Sequence, residues 1–564
     1  MSTASGSPRE VAGGDSGPTR GTTALLLAAA GLSLVPRLAY AMHRPLSHNG
    51  AWHLFAARFF RHELGTIAHP PLFLLLLKAC DAVNRSLFSY RLIPLVAGAA
   101  SVYLVGRLLD RMGCLVPTSL LGALTIAFST TAVALSGQVE GFTLAVFFVL
   151  SAFFFALDLF PMTGTPPASS RTGFAVFASL ALLTEYLSGL FLVAIALAPL
   201  AAAALLPDYR RRLRPGFPRR LGADALTLLP PAVVGAALYA LLAGRWVGML
   251  SGPASGLPRY YFHPGAETVR AFIRRTLTST FDLFAPWKLP DSPACAALAA
   301  FVLLAIAAPA TERLPETLRE RRVLPALLLA LLLAVGIALG LSGRYPFGGT
   351  HRHQILLLYF AVLAGAVAFD RLLRRAGPAA GAALAVAGAA AIAASALHNR
   401  GALLFRDEPM NVRAGIFAKN LAGLRGGVVH FDQLNFIGLF MDFYAWDCRF
   451  GGRISENPWE ERYEFSRGER RFTAIYHRFR FLMDLRSPAL YEDLRKTFPA
   501  AGRGCQTVFQ VDRNLFTRPH TLRPEAERED LQREIPARAS AAGLDLRAIT
   551  IDDDFVELVL CPRP

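Results

Sequence analysis

The chain has 564 residues, 53% of them hydrophobic, and carries a formal net charge of +17. Its mean hydropathy is +0.39, and its apolar runs approach the roughly 20 residues needed to cross a bilayer, which excludes an ordinary soluble protein. The charge does not indicate nucleic-acid binding, because much of it lies in short Arg-rich clusters between apolar runs, where the positive-inside rule expects cytoplasmic loops. The sequence therefore predicts a polytopic α-helical membrane protein.

The first part of the chain predicts a cytoplasmic tail, one span and a long external loop. Residues 1–22 are rich in Ser, Gly and Pro and are expected to be disordered. A transmembrane helix is expected at 23–41 rather than a cleaved signal peptide, although "AYA" at its end resembles a signal-peptidase site. The external loop then covers 42–90. Its apolar run "PPLFLLLLKACDAV" is too short for a span and predicts an interfacial or re-entrant helix.

The remaining apolar runs are assigned by counting crossings, so that basic loops fall inside. The stretch 172–206 has basic flanks on both sides and is expected to cross twice, with a break near "TEYLSG". A second long external loop follows at 247–292. Further spans are expected near 91–109, 116–136, 141–160, 172–185, 188–206, 224–246, 293–311, 323–341, 354–370 and 377–397. These make about 11 transmembrane helices over 23–397, with the N-terminus inside and the C-terminus outside.

Residues 398–564 have mixed charge and predict an extracytoplasmic α/β domain. The run "GGVVHFDQLNFIGLFMDFYAW" is expected to form a strand, a turn and an amphipathic helix, and "CQTVFQVD" and "DFVELVLCP" are expected to be strands. Cys448, Cys505 and Cys561 fall in this part and leave two alternatives, namely one disulfide with one thiol left over, or three unpaired thiols. "DDD" at 552–554 is interpreted as a solvated turn, and no metal site is predicted.

Four motifs, in this order and on one side of the predicted membrane, carry a family resemblance. They are "HPPLFLLLL" from His69, "RLIP" from Arg91, "SGQVEGFTL" around Glu140 and "YPFGGTHRHQILLL" around Arg352. Together they resemble the GT-C, protein O-mannosyltransferase-like membrane glycosyltransferases (family 39), which include aminoarabinose-transferase-like bacterial members. The resemblance implies a GT-C fold in the bacterial inner membrane. It also implies transfer of a sugar from a polyprenyl-phosphate donor to an envelope glycan, lipid or protein on the external face.

Such a transfer needs a carboxylate or another base to deprotonate or orient the acceptor. The family usually carries an Asp-Glu pair just after the first span, where this chain has Asn49 and Gly50. A neutral amide cannot act as a base, so three alternatives stay open. The base is His48 or His53, whose imidazoles titrate in a suitable range; or it is Glu140 in the second external loop; or the site is inactive and the protein binds a lipid or a partner.

The transfer also needs cations that hold the donor phosphate and stabilise the leaving phosphate. By the resemblance and by their external position, the candidates are His69, Arg352, His351, His353 and Arg91. Candidates for the acceptor side are Asn49, Tyr186, Tyr260 and His263. Structural roles compete with these assignments. Arg91 could be an interfacial anchor, and Tyr186 with Glu185 could serve only to satisfy a helix break.

Three functions are weighed on these grounds. The leading hypothesis is a membrane glycosyltransferase that uses a polyprenyl-phosphate sugar. The second is a catalytically degenerate relative that binds lipid or acts as a scaffold, for which Asn49 is the main evidence. The third is a transporter, which would require charged residues within the spans, whereas the predicted spans look largely free of charge. No Walker motif and no strand-associated glycine-rich loop indicates a nucleotide cofactor.

Overall fold

The computed structural model shows a helical bundle followed by a small sheet. It describes residues 20–43, 50, 53–54, 56–57, 70–84, 86–161, 166–240, 262, 264–265, 267–283, 291–310, 314–345, 347, 351–404, 427–431, 447–453, 460–467, 470–477, 485–501, 504–511, 525–551 and 555–563. Elements are numbered below in chain order within these ranges.

The helices of the first part follow one another with short connections. They are α1 (Arg20–His43), α2 (Pro71–Val83), α3 (Leu87–Arg111), α4 (Val116–Ala127), α5 (Thr130–Ser136), α6 (Phe142–Leu159), α7 (Ala168–Thr184) and α8 (Ser188–Leu205). The second part of the bundle contains α9 (Pro207–Leu238), α10 (Val269–Phe281), α11 (Asp291–Ala310), α12 (Glu316–Leu341), a 3-10 turn (His351–Gln354), α13 (Ile355–His398) and α14 (Arg400–Leu404).

Helices lie at every position where a span is expected. Within the described ranges, six helical stretches are long and apolar enough to cross a membrane, namely α1, α3, α6, α8, α12 and Arg352–His398. The bent pair α4 and α5 makes a seventh if it is counted as one span. The last stretch holds two expected spans, because the non-helical Gly377 (φ 74°) divides α13. The architecture is that of a polytopic helical membrane protein.

Three details of the helices differ from the expectations. The stretch 116–136 is not one straight span, because α4 and α5 meet at an angle of 58°. The Arg-rich stretch "YRRRLRPGFPRR" is not a loop but belongs to α9, and "ETLRERR" opens α12. Arginine is a good helix former, so both helices continue beyond their apolar segments. By contrast, α2 has 13 residues, the short length that its apolar run predicts.

The break between α4 and α5 is stabilised by a buried arginine from α1. The Nη1 of Arg37 donates to the Ala127 carbonyl at 3.0 Å, and its Nη2 donates to the Ile126 carbonyl at 3.2 Å. Its Nε donates to Ser136 Oγ at 3.2 Å. A helix that ends inside hydrocarbon leaves carbonyl oxygens without donors, at a cost of several kcal/mol each. Arg37 supplies these donors, which explains why a charged side chain is buried in the first span.

Ion pairs gather at one end of the bundle. Asp158 at the end of α6 binds Arg111 at the end of α3 and Arg321 near the start of α12 (Oδ1–Nη2 3.0 Å). Ser170 at the start of α7 also donates to Asp158, at 2.7 Å. These four helix ends therefore lie on the same face, as the counting of crossings predicts.

A second cluster at this end is centred on a fully buried ion pair, Arg322 with Asp370. Asp370 of α13 accepts hydrogen bonds from the Arg322 guanidinium at 2.8 Å and from the Leu115 backbone N–H at 2.7 Å. Thr118 and Arg374 donate to the same carboxylate. Arg37 and Asp370 are two exceptions within spans that are expected to be largely free of charge, since both are buried within helices. Both bind groups of neighbouring helices, so each holds the bundle together.

The C-terminal part forms one seven-stranded mixed sheet. Its strands are β1 (Gly427–Phe431), β2 (Asp447–Arg453), β3 (Glu460–Arg467), β4 (Arg470–His477), β5 (Gln506–Val511), β6 (Leu544–Ile551) and β7 (Phe555–Pro562), in the order β2-β3-β4-β1-β5-β7-β6. The central strand β1 is parallel to β4 and β5, and the other pairs are antiparallel.

Two helices, α15 (Pro488–Ala501) and α16 (Glu525–Ala541), pack their apolar side chains with those of the sheet. This core includes Tyr491, Ile535, Val508 and Leu558. The predicted α/β class and the strands in "GGVVHF", "CQTVFQVD" and "DFVELVLCP" are confirmed. The helix expected after β1, and the acidic turn 552–554, lie outside the described residues.

A disulfide joins Cys505 to Cys561 at the end of the β5–β7 pair, with the two Cα atoms 4.2 Å apart. This decides in favour of the one-disulfide alternative. We expect Cys505→Ala to lower the free energy of unfolding of the C-terminal domain by about 2–4 kcal/mol, because the enclosed loop gains freedom in the unfolded chain. Pulse proteolysis of the full chain in detergent would measure this loss.

The matched control is Cys295→Ala, which removes a thiol that forms no disulfide. It should leave the protease resistance of the C-terminal domain unchanged. Equal resistance of Cys505→Ala and the wild type would contradict the expected contribution.

Candidate functional site

A third polar cluster, which contains Glu140, Glu185 and Arg352, lies at the opposite end of the bundle from Asp158. It is built by the loop 137–141 between α5 and α6, by the link 185–187 between α7 and α8, and by the 3-10 turn His351–Gln354 that precedes α13. Because α6 runs from this loop to Asp158 and α7 runs back, the start of α6 and the end of α7 meet here. The three connections contribute Glu140, Glu185 and Arg352, respectively, to the centre of the cluster.

Two buried carboxylates and one arginine form its centre. Glu140 is 1% exposed and Glu185 is 4% exposed. The Arg352 Nη1 lies 3.8 Å from Glu140 Oε2, and the Arg352 guanidinium stands 5.8 Å from the centre of the Phe142 ring. The structure thus brings together Glu140 and Arg352, which the sequence predicts as a base and a phosphate-binding cation and which are far apart in the chain.

Gly141 lets the second carboxylate approach the first. A Cβ atom at this position would lie 3.0 Å from Glu185 Oε1 and 3.2 Å from the Thr184 carbonyl oxygen. Such a contact is tight, and the carbonyl belongs to the backbone and cannot easily move. The absence of a side chain at Gly141 therefore leaves the room that Glu185 occupies beside Glu140.

The Glu185 carboxyl lies between α7 and α8, outside both helices. The pKa of Glu185 is raised to about 8, mainly by burial and also by the charge of Glu140, while Arg352 acts in the opposite direction. A buried carboxyl next to another carboxylate is commonly protonated, because two negative charges in a poorly solvated site repel each other. At neutral pH the cluster therefore holds Glu185 mainly in its neutral form.

Aromatic and amide side chains fix the 3-10 turn. The buried His353 ring lies edge-on to the rings of Phe142 and Tyr345, with centroids 6.1 Å and 5.9 Å away. Gln354 donates from Nε2 to the Phe347 carbonyl at 2.7 Å and accepts from Ser279 of α10 at 3.5 Å. These contacts hold the backbone on both sides of Arg352. Tyr186 is half-buried beside Glu185.

Two further candidates are buried in packing contacts elsewhere. The His53 ring stands edge-on to Phe73 of α2, with centroids 5.5 Å apart. Arg91 of α3 is buried and donates to the Ala41 carbonyl at the end of α1. His53 thus packs against α2, and Arg91 joins α3 to α1. The roles of His48, Asn49, His69, Tyr260 and His263 stay predictions, because these residues lie outside the described ranges, as does the side chain of His351.

Glu185 is the residue of this cluster to which the sequence analysis assigned no functional role. The sequence shows only that Glu185 is an acidic residue in a short break between two apolar helices. A purely structural role would give the same pattern. Among the described residues, no three His, Cys, Asp or Glu side chains come together as a metal site requires. The central groups of the cluster are two carboxyls and one guanidinium.

No protein-family model matches the chain, and no curated protein matches it in sequence. Solved structures do match. ArnT from Cupriavidus metallidurans bound to undecaprenyl phosphate is similar with a TM-score of 0.55 over 96% of this chain and 98% of that chain, at 12% sequence identity. This chain has the ArnT fold. The same ArnT in its apo state is similar over the same shares of both chains, with a TM-score of 0.48 and 12% identity.

The ArnT likeness confirms the family resemblance at the level of the fold. ArnT-like architecture accounts for both parts of this chain, because the match extends across the helical bundle and the C-terminal sheet alike. At this low identity the likeness transfers no residue roles. The chemistry of the cluster depends on Glu140, Glu185 and Arg352 themselves.

Proposed function

We propose that the protein is a membrane glycosyltransferase that moves a sugar from a polyprenyl-phosphate donor to an acceptor of the cell envelope. The observation that carries the proposal is that the buried carboxylate of Glu140 lies beside Arg352 (Oε2–Nη1 3.8 Å), at the end of the bundle opposite to Asp158. It is supported by the fold, since a similar structure is that of ArnT bound to undecaprenyl phosphate. A base and a cation at one site are what transfer from a phosphate-linked sugar requires.

In this proposal Glu140 is the catalytic base. Its carboxylate takes the proton of the acceptor group while the acceptor atom forms a bond to the anomeric carbon. The bond from that carbon to the phosphate oxygen breaks, and the polyprenyl phosphate leaves with the electron pair. Arg352 would hold this phosphate and balance its growing negative charge. Glu140 would thereby take over the task of the acidic residue that the family usually has where Asn49 stands.

The remaining candidates keep the roles that the sequence predicts. His69, His351, His353 and Arg91 are proposed as further groups on the donor-phosphate side, and Asn49, Tyr186, Tyr260 and His263 on the acceptor side. His48 and His53 are the alternative bases. For His53 and Arg91, the buried contacts with Phe73 and Ala41 favour a supporting role over direct contact with substrate.

We also propose that the chain lies in the bacterial inner membrane, with residues 1–22 in the cytoplasm, a transmembrane domain at 23–397 and a periplasmic domain at 398–564. Two observations support this orientation. The Arg-rich helix ends cluster around Asp158, as expected of a cytoplasmic face. The Cys505–Cys561 disulfide lies in the C-terminal domain and fits an oxidising compartment.

Replacement of Arg352 by Gln tests the phosphate-binding role. A charge-assisted hydrogen bond contributes about 1.5–3 kcal/mol, so undecaprenyl phosphate should bind to Arg352→Gln roughly 10–150 times more weakly than to the wild type. Purified protein in lipid nanodiscs would be titrated with undecaprenyl phosphate. Transfer of radiolabelled sugar from polyprenyl-phosphate donors to an envelope fraction would be measured in parallel.

Arg344→Gln is the matched control, because Arg344 is an exposed arginine in the same connection between α12 and α13. It makes the same charge change and should leave the affinity within about twofold, as surface changes usually do. Equal affinities for Arg352→Gln and the wild type would contradict the proposed role of Arg352.

The second candidate function is a degenerate relative that binds lipid without turnover. Asn49 favours it, because an amide cannot replace the carboxylate that the family usually has after the first span. Binding of undecaprenyl phosphate without transfer in the wild type, followed by transfer in Asn49→Asp, would support this candidate and contradict the glycosyltransferase. Transfer by the wild type would exclude it.

A further inference from the structure

Glu185 is a buried carboxyl group that the proposed mechanism does not use. It comes from a different connection than Glu140, yet its Oε1 lies only 3.0 Å from the position that a Cβ atom of Gly141 would take. We infer that Glu185 is a positioning residue: it keeps its proton, so that it adds no second negative charge beside Glu140 and Arg352. This inference rests on the proposed function, because it assigns Glu185 a task at the same site.

The two carboxyls are held by different connections of the bundle. Glu140 lies two residues before the first residue of α6, and its Oε2 is 3.8 Å from the Arg352 Nη1. Glu185 lies in the link between α7 and α8. Its backbone N–H donates to the Ala181 carbonyl at 2.9 Å, and its carbonyl accepts from the Ser188 N–H at 3.1 Å. The ends of two helices thus fix the backbone that carries the buried Glu185 carboxyl.

The charged and titratable groups around Glu185 come from three connections. Glu140 and Arg352 act on it electrostatically, while His353 and Tyr186 are the other titratable side chains that the structure describes in these connections. Arg352 lies 3.8 Å from Glu140, and hence its charge is shared with that carboxylate. The pKa of Glu185 is raised to about 8, and burial is the strongest cause. Pairs of carboxyls whose surroundings separate their pKa values commonly divide the roles of proton acceptor and proton holder.

The protonation state of Glu185 matters for both substrates. During transfer, Glu140 receives the proton of the acceptor, and Glu185 neither gains nor loses one. Above a pH of about 8, Glu185 ionises. A second negative charge would then compete with the donor phosphate for Arg352 and would repel it. The affinity for a phosphate-bearing lipid should therefore fall as Glu185 loses its proton.

The test compares the wild type with Glu185→Gln, which is neutral at every pH and has nearly the same shape. The affinity of both proteins for undecaprenyl phosphate is measured between pH 6.5 and pH 9.5. Relative to its own affinity at pH 7, the wild type should bind severalfold more weakly above pH 8, whereas Glu185→Gln should show no such fall. Glu267→Gln is the control: it removes an acid that pairs with Arg275 near α10, and its profile should match that of the wild type.

A second measurement needs neither donor nor acceptor. Infrared spectroscopy at pH 7 should show the carbonyl stretch of a buried protonated carboxyl in the wild type and in Glu140→Gln, but not in Glu185→Gln. Loss of the band in Glu140→Gln, with retention in Glu185→Gln, would overturn the inference by exchanging the two roles. A wild type with the band but without sugar transfer would keep the inference for Glu185 and contradict the glycosyltransferase.

Thermal unfolding gives a third, independent sign. The pKa of Glu185 in the folded protein lies above its ordinary value of 4.5. The stabilisation that proton binding gives to the folded protein is therefore complete below a pH of 4.5. This stabilisation is lost as the pH rises through about 8. The melting temperature of the wild type should therefore fall more between pH 5 and pH 9 than that of Glu185→Gln. Parallel curves for the two proteins would contradict a protonated Glu185.

Discussion

Glu140→Gln is expected to lower the rate of sugar transfer by a factor of about 10² to 10⁴, the usual contribution of a general base. The amide keeps the shape of the side chain but cannot accept the acceptor's proton. Undecaprenyl phosphate should bind to the variant at least as well as to the wild type, because Arg352 no longer faces the Glu140 carboxylate 3.8 Å away. Single-turnover transfer of a radiolabelled sugar, with a separate binding titration, measures the two effects.

The comparison with His53→Gln decides where the base lies. His53 is buried against Phe73, so its replacement should affect stability more than the chemical step. Transfer that disappears in Glu140→Gln and survives in His53→Gln would assign the base to the loop before α6. The reverse pattern would assign it to the first loop and would contradict the role of Glu140.

Asp370→Ala should cause the largest loss of stability among the changes considered. It leaves the Arg322 guanidinium fully buried, with its carboxylate partner removed. Breaking a buried ion pair by deleting one member typically costs about 3–5 kcal/mol, because the remaining charge stays desolvated. The Leu115 backbone N–H and Thr118 lose their acceptor at the same time. The free energy of unfolding, measured by pulse proteolysis in a denaturant series, should fall accordingly.

Asp110→Ala provides the matched control, since the Arg107–Asp110 pair is also a helical ion pair but is partly exposed to solvent. Its loss should cost only about 0–1 kcal/mol. The double change Arg322→Met with Asp370→Leu should recover much of the stability lost in Asp370→Ala, because no unpaired charge is then buried. Similar losses of unfolding free energy in Asp370→Ala and Asp110→Ala would contradict the expectation that burial makes the Arg322–Asp370 pair more costly to break.

The sequence was sufficient for the parts of the fold that depend on local properties. Run length and hydropathy placed helices correctly, and the break between α7 and α8 followed from basic residues on both sides of one long run. The bend between α4 and α5 was missed, because the apolar run continues through Ser129 and Thr130. Its main stabilising group is Arg37, about 90 residues earlier in the chain. No local pattern can reveal a partner at that distance.

The candidate site was predictable to a similar extent. Glu140 and Arg352 could each be selected as a candidate from the sequence, because each is a charged residue in a predicted external connection between apolar runs. Their proximity depends on how α6 and α13 pack, which the sequence alone does not specify. Glu185 was interpreted as part of a helix break, since its relation to Glu140 depends on the space that Gly141 leaves. Positions in the first loop, including Asn49, keep the status of predictions.

The hydrogen bonds of Arg37 also bear on how the protein is assembled in the membrane. The helix that carries Arg37 is synthesised first, whereas the carbonyl oxygens that receive its guanidinium, at Ile126 and Ala127, follow about 90 residues later. Arg37 lies in the last third of α1, where an unpaired charge costs less than at the centre of an isolated helix, where the cost is about 2.5–3.5 kcal/mol. The first helix therefore enters lipid at a disadvantage that only later segments can remove. Integration of the N-terminal region is for this reason a cooperative event, completed when the fourth helix reaches the first.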